Sequence, residues 1–290
     1  MAHQCANQHS GSRLWGLSRI SSRALPDFTS ARFNYDVGNG AGVRVYILDT
    51  GIRLTHQDFG GRAEFGHNAI GGGDADLRGH GTHCAGTAAG TEFGVAKAAT
   101  LVAVKVLSDS GGGPWSALIE GINYVVGDLA ARGQRGVISM SLGGGKNTAV
   151  DSAVDSADAA GVPAVTSAGN RNANACSATP AGAPGAITVA NTEITDILRS
   201  SSSWGTCVDI SAPGTDILSA SHLSDTGTAI KTGTSMSCPL VAGVVAKYLS
   251  TNPNASTSEV KAFLANTATP DVIDLRGTSG TPNLLLYSTC

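Results

Sequence analysis

The sequence predicts an α/β fold: a three-layer sandwich with a central, mostly parallel β-sheet flanked by helices. Short apolar runs rich in β-branched residues alternate along the chain with amphipathic helical patterns. Strand, helix, strand order brings successive strands into a parallel sheet that is covered on both faces. The 38 glycines among 290 residues suit the tight turns that such an arrangement needs.

The individual elements follow from their periodicity. Buried strands are predicted at residues 43–48, 101–106, 137–141, 162–166, 186–189 and 208–211. Amphipathic or buried helices are predicted at residues 115–131, 149–160, 235–249 and 256–264. The last of these carries a capping signal, because Ser256 is followed three positions later by Glu259. We therefore expect functional side chains at the carboxyl ends of the strands.

Composition excludes several classes of protein. The formal charge is −3 and the sequence pI about 6.1, so no basic field is available for nucleic acid or an anionic membrane. The sequence contains no apolar run of the roughly 18 residues that a membrane span needs. We expect one domain over residues 1–290, with residues 1–12 as a loose arm and without a signal peptide or pro-domain. Six cysteines without a C-x-x-C pair argue against a zinc ribbon.

Three segments carry reactive side chains at strand or helix ends. Asp49 ends the run VYILD, where an Asx-turn or a helix cap would also explain it. His80 and His83 in GHGTHCAG have a spacing that suits a general base, a metal pair or an ordinary helix start. Ser235 in KTGTSMSCPLVAG precedes an apolar helix, where a serine is usually a cap. Each segment alone is therefore ambiguous.

Together the three segments favour nucleophilic catalysis. A serine hydroxyl is a poor nucleophile until a base removes its proton, and a carboxylate can hold that base in the right tautomer. Asp49, His80 and Ser235 supply these types in the order Asp, His, Ser. This is the order of subtilisin, and it differs from those of chymotrypsin and the α/β-hydrolases.

The chain resembles the subtilisin-like serine proteases, or subtilases. DTGI with Asp49, GHGTHCAG with His80 and GTSM with Ser235 carry the resemblance, which extends from WGLSRIS to GTPNLLLYS. It is most similar to the proteinase K group, and RNANACSATP with SWGTCVDISAPGTDIL resembles the aqualysin-like branch. The resemblance implies a subtilisin-like fold and an endopeptidase with these three residues as its triad. It assigns the base to His80 rather than His83.

The resemblance also implies the rest of the site. Asn170 in TSAGN is expected to form the oxyanion hole with the backbone N–H of Ser235. SLGG and an Ala-Gly pair are similar to the S1 walls, and SGGGPW is similar to the edge that pairs with an extended substrate. The expected substrate-binding residues are Gly111, Gly112, Gly113, Trp115, Ser141, Leu142, Gly143, Gly144, Ala168 and Gly169. Because no charge lies in the S1 segments, we expect broad cleavage that favours apolar or aromatic P1 residues.

Calcium is the expected cofactor, and no organic cofactor is expected. The resemblance places a structural calcium ion on the carbonyls of Pro184 and Ala186 and on the side chain of Asp209. It further implies a Cys176–Cys207 disulfide, and a free thiol at Cys84 that would make the enzyme sensitive to mercurials. Of the other cysteines, Cys238 is expected to be a buried small hydrophobe, and Cys5 and Cys290 could pair with each other.

The expected protein is a secreted monomer that acts on proteins and peptides. A disulfide at this chain length indicates an oxidising, extracellular setting. One alternative is a catalytically silent subtilase fold that acts as a binding protein. The reason for considering a silent protein is that Ser237 and Leu240 lie at positions where relatives usually have Ala and His. A zinc-dependent reaction through His80 and His83 is a further alternative.

Overall fold

A nine-stranded sheet forms the centre of the computed structural model, which describes residues 5–36, 38–288 and 290. All neighbouring strands run parallel except the first pair at one edge. In spatial order the strands are β14 (Thr269–Pro270), β15 (Leu284–Leu285), β11 (Ile210–Pro213), β10 (Ala186–Thr192), β8 (Ala164–Ser167), β6 (Arg135–Met140), β3 (Val43–Asp49), β5 (Thr100–Lys105) and β4 (Ala63–Asn68).

Helices cover both faces of this sheet, which confirms the predicted three-layer α/β class. They are α1 (Trp15–Ile20), α2 (His80–Ala89), α3 (Trp115–Arg132), α4 (Thr148–Ala159), α5 (Thr234–Thr251) and α6 (Thr257–Thr267). Successive side chains of β3 point to opposite faces of the sheet. Val45 and Ile47 belong to the core that α2 and α5 cover. Tyr46 and Leu48 join the opposite core, which α3 and α4 cover. Of the helices in the described residues, none is long and apolar enough to cross a membrane.

Three two-stranded sheets and two 3-10 helices complete the described structure. The small sheets pair β1 (Cys5–His9) with β2 (Arg32–Asp36), β7 (Gly144–Gly145) with β9 (Ala178–Thr179), and β12 (Ile217–Ala220) with β13 (Thr228–Lys231). The 3-10 helices are Gln57–Phe59 and Ala175–Ser177. The expected loose arm differs from the structure, because from Cys5 it is a strand that is joined to Cys290 by a disulfide. Residues 1–4 of that arm lie outside the described residues.

The six predicted strands correspond to β3, β5, β6, β8, β10 and β11, and the four predicted helices to α3, α4, α5 and α6. The capping box at Ser256 and Glu259 is confirmed. Periodicity did not predict the two edge strands, β4 and β14, or β15 beside β14. These strands are short or partly exposed, so they lack the apolar run that marks a central strand.

Candidate active site

Asp49 and His80 form the centre of the site at the carboxyl end of β3. Asp49 is fully buried at the last position of the strand, and His80 is the first residue of α2. The Nδ1 atom of His80 lies 2.8 Å from both carboxylate oxygens of Asp49. Burial lowers the pKa of His80, but the Asp49 carboxylate, with a smaller contribution from Cys84, outweighs burial and sets the pKa well above its usual value. The carboxylate thus orients the ring and favours its protonated form.

A second buried carboxylate, Asp76, fixes the start of α2, and the sequence analysis did not identify it. One of its oxygens accepts the N–H of Gly79 at 2.7 Å and the hydroxyl of Thr50 at 2.8 Å. The other accepts both the N–H and the hydroxyl of Thr82. Asp76 therefore caps the helix that carries His80 and ties it to the residue after Asp49. An Asp four residues before the histidine is the only sequence signal.

Close backbone approach explains one of the glycines in the GHGTHCAG motif. A Cβ atom at Gly81 would lie 2.1 Å from the carbonyl oxygen of Gly51, in the turn after Asp49. The N–H of Gly81 donates to the Thr50 hydroxyl at 3.0 Å. Because the helix rests directly on that turn, any side chain at residue 81 would push His80 away from Asp49.

His83, three residues later, has an environment of the opposite kind. It is completely buried, and its Nε2 atom lies 2.9 Å from the carbonyl oxygen of Ile217 and 3.1 Å from that of Ala229. Burial lowers the pKa of His83 to about 3, so the ring is neutral and anchors the β12–β13 hairpin. Among the described residues, no candidate metal cluster combines His80 with His83. The structure therefore gives no support to the paired zinc interpretation.

Ser235 is the second residue of α5, and its backbone is held by unusual contacts. Pro239 lies four residues further on and lacks the N–H that would normally bond the Ser235 carbonyl. The hydroxyl of Ser141 at 2.7 Å and the thiol of Cys84 at 3.4 Å donate to that carbonyl instead. In return, the Ser235 hydroxyl donates to the Ser141 carbonyl at 3.2 Å. Two segments outside α5 therefore position the serine, and Cys84 is a free, buried cysteine directly beneath the site.

Asn170 lies beside Ser235, and its amide is oriented by the start of α5. Its Oδ1 atom accepts the N–H of Thr234 at 2.9 Å and the Thr234 hydroxyl at 3.2 Å. With the oxygen engaged in this way, the amide nitrogen is the group left to donate. Asn170 and Ser235 line the same cavity.

Two adjoining cavities make up a groove across the site. One, of about 330 Å³, includes His80 among its lining residues, and the other, of about 410 Å³, includes Ser235. The first contains Gly111, Gly112, Gly113, Trp115, Ser141, Leu142, Gly143 and Gly144, and the second contains Ala168 and Gly169. The structure thus places every predicted substrate-binding residue along the groove. Among the described residues that line the second cavity, Arg171 alone carries a charge.

A lysine, Lys261, contacts one of the three residues expected to bind calcium. The ammonium of Lys261 donates to the carbonyl oxygen of Pro184 at 2.8 Å. One carboxylate oxygen of Asp209 accepts the N–H of Thr188 at 2.7 Å, and Ala186 begins β10. Burial raises the pKa of Asp209, and the hydrogen bond from the Thr188 N–H and then the charge of Lys261 partly offset that rise. Because the ammonium of Lys261 already binds the Pro184 carbonyl, one of the expected oxygen ligands, the residues present do not fit a bound calcium ion.

The structure joins Cys176 to Cys207 by a disulfide and leaves Cys238 free and buried. Both departures from the family motif are buried. Ser237 is buried and donates to the carbonyl of Ala212 at 2.9 Å, and Leu240 is buried in the same apolar core as α1. These two residues therefore give no structural support to a catalytically silent protein.

Comparison with known proteins identifies the family. Residues 40–285 match the subtilase family. The chain is 47% identical over 276 residues to an extracellular serine proteinase of Thermus sp. (strain Rt41A), covering 94% of this chain and 66% of that protein. It is 44% identical to alkaline serine exoprotease A of Vibrio alginolyticus, covering 98% of this chain and 52% of that protein.

A solved structure described as a cold adapted subtilisin-like serine proteinase superposes with a TM-score of 0.88 at 41% identity, covering 97% of this chain and all of that one. The chain spans about two thirds of the length of the Thermus relative and about half that of the Vibrio relative. Sequence, fold and arrangement of the site thus agree, and the chain belongs to the subtilase family.

Proposed function

We propose that the chain is a secreted serine endopeptidase that cleaves peptide bonds through a covalent acyl-enzyme on Ser235. The observation that carries the proposal is the pairing of His80 Nδ1 with both oxygens of the buried Asp49 carboxylate at 2.8 Å. This pairing leaves Nε2 of His80 as the basic nitrogen, which is the tautomer that a general base requires. Family membership makes serine protease chemistry the expected use of such a pair.

The reaction proceeds in two halves. In the first, the Ser235 hydroxyl exchanges its bond to the Ser141 carbonyl for one to His80. Its oxygen then attacks the substrate carbonyl carbon while His80 Nε2 takes the proton. As the peptide C–N bond breaks, His80 gives that proton to the leaving amine. In the second half, water loses a proton to His80 and attacks the ester, and the proton returns to Ser235 Oγ.

Charge on the attacked oxygen is stabilised by two donors in this proposal. The Asn170 amide nitrogen is one, because its oxygen is engaged by Thr234. The other is the N–H of Ser235, which lies in the first turn of α5 and has no carbonyl of its own helix to bond. Both lie at the positive end of that helix, where negative charge is favoured.

The substrate is an extended polypeptide in this proposal. Gly111, Gly112 and Gly113 form one side of the groove, where backbone can approach backbone closely enough for β-type hydrogen bonds. Trp115 covers Gly144 so closely that a Cβ there would lie 2.9 Å from the indole ring. The second cavity has mostly small and apolar walls, and the positive charge of Arg171 disfavours lysine or arginine at P1. We expect broad cleavage after apolar or aromatic residues, which a peptide-library profile measures.

The remaining features of the proposal are a single domain over residues 1–290, a monomer and an extracellular location. One of the relatives reported above is named an extracellular proteinase, and the two disulfides of this chain are of the kind that forms and persists in oxidising compartments.

A fluorophosphonate probe tests the proposal directly, because it reacts with serines that are activated by a base. The parent protein should be labelled on Ser235, and Ser235→Ala should lose both the labelling and the cleavage of casein. Circular dichroism should show that the variant remains folded.

The chain contains a matched control. Ser258 is the second residue of α6 and follows a threonine, as Ser235 does in α5, but it lies on the surface. Ser258→Ala should label and cleave like the parent. A folded parent that fails to react, or labelling that persists in Ser235→Ala, contradicts the proposal.

A further inference from the structure

Lys261 occupies a position that its helix holds firmly. It lies in the second turn of α6, next to the buried Val260 and one turn before the buried Leu264. The start of that helix is locked by the reciprocal hydrogen bonds between Ser256 and Glu259. The backbone of Lys261 is thus fixed by helix α6, and its side chain binds the Pro184 carbonyl.

The surroundings of Lys261 are rich in oxygen and negative charge. The Pro184 carbonyl accepts a hydrogen bond from the ammonium at 2.8 Å. Burial raises the pKa of the Asp209 carboxyl while the charge of Lys261 lowers it, although no direct ion pair forms between these two described residues. Asp155 of α4 contacts the same loop, where it accepts the N–H of Gly185 at 2.8 Å. This cluster of oxygen atoms favours a cation, because carboxylate and carbonyl oxygens interact favourably with positive charge.

We infer that Lys261 is a built-in cation at Pro184, Ala186 and Asp209, where its ammonium replaces a calcium ion. The ammonium on the Pro184 carbonyl repels a second cation at that oxygen, so the lysine competes with the ion for this position. The consequence is that this part of the fold does not depend on free calcium, although the subtilase resemblance would place an ion here. The inference concerns metal binding and stability, and it holds whether or not Ser235 is the nucleophile.

Calcium binding and thermal unfolding test the inference together. All proteins are made in a Ser235→Ala background so that self-digestion does not affect the measurements. Bound calcium is counted by equilibrium dialysis, and the unfolding temperature is compared in calcium and in chelator. The parent and its Asp209→Asn variant should bind the same number of calcium ions.

Lys261→Ala should bind one more calcium ion than the parent, and calcium at about a hundredfold excess over its Kd should raise the unfolding temperature by about 5 °C. Adding Asp209→Asn to Lys261→Ala should abolish both effects. Lys261→Met keeps the length of the side chain without its charge, and it serves as the second variant if the alanine variant is unstable.

A neighbouring lysine provides the matched control. Lys146 donates to the carbonyl of Gly182 at 3.1 Å, two residues before Pro184, and also pairs with Asp151. Lys146→Ala should gain no calcium, since it leaves Lys261 in place. The inference is overturned if the parent binds one ion more than Asp209→Asn does. It is equally overturned if neither Lys261 variant gains an ion, or if Lys146→Ala gains the same ion.

Discussion

Helices α5 and α6 both begin with Thr-Ser, yet their first turns are stabilised in different ways. At α6, Ser256 accepts the N–H of Glu259, and the Glu259 carboxylate accepts the N–H of Ser256. At α5 the capping position is Gly233, which has no side chain to offer. The acceptor for Thr234 is instead the amide oxygen of Asn170, from a segment 64 positions earlier.

The difference shows how a helix start becomes a reactive site. A local cap satisfies the first N–H groups and stabilises the helix by about 1 kcal/mol. A remote cap satisfies one N–H group and leaves that of Ser235 available to a ligand. The same serine position is therefore a surface residue in α6 and the proposed nucleophile in α5, because only α5 has Asp49, His80 and Asn170 beside it.

The largest expected effect comes from removing the carboxylate of Asp49, which orients His80. The start of α5 has this pair beside it, and the start of α6 does not. Asp49→Asn should lower kcat by about 10⁴-fold, the scale known for this change in other serine proteases, because the amide no longer holds the required tautomer. Steady-state kinetics with a chromogenic peptide measure the decrease in kcat. A decrease of less than tenfold would contradict the proposed role of Asp49.

The pH profile of the same variant sharpens this test. His80 must be neutral to act as a base, and Asp49 raises its pKa, so the parent should lose activity as the pH falls through that raised value. The residual activity of Asp49→Asn should persist to lower pH, because the charge that raises the pKa is gone. An acid limb that does not move would show that another group titrates.

The next effect comes from the remote cap itself. Asn170→Ala should lower kcat by about 100- to 1000-fold with little change in KM, as for the matching amide donor of subtilisin. It should also destabilise the fold by about 1 kcal/mol, because the N–H of Thr234 loses its acceptor. Asn170→Asp is the control, since it retains an oxygen for Thr234 but no donor for the substrate. It should recover stability without recovering kcat, and recovery of both would contradict the proposal.

The smallest effect is expected at the local cap. Ser256→Ala should lower the free energy of unfolding by about 1 kcal/mol and leave kcat and KM unchanged, because the capping box of α6 touches only its own helix. Urea unfolding of the parent and the variant, each inhibited by phosphonate, measures the difference. Altered kinetics in Ser256→Ala would mean that the two helix starts are coupled.

The alternating strands and helices, the capping box of α6 and the order of the three motifs could all be predicted from the sequence. The elements and the cap depend on residues that are near one another along the chain, such as the apolar period of β3 or the spacing of Ser256 and Glu259, and the order of the motifs is read directly from the sequence. The family resemblance added which histidine pairs with Asp49. Local patterns alone could not distinguish His80 from His83, because both lie on the same short helix.

Which groups meet at each site follows from the packing of distant segments. The exchange of hydrogen bonds between Ser141 and Ser235 joins positions 94 residues apart, and Lys261 meets Pro184 across 77 residues. Such contacts depend on how the strands and helices pack, which no local period or cap encodes. Packing also gave the two histidines their different character, by placing one beside a carboxylate and sealing the other in the core.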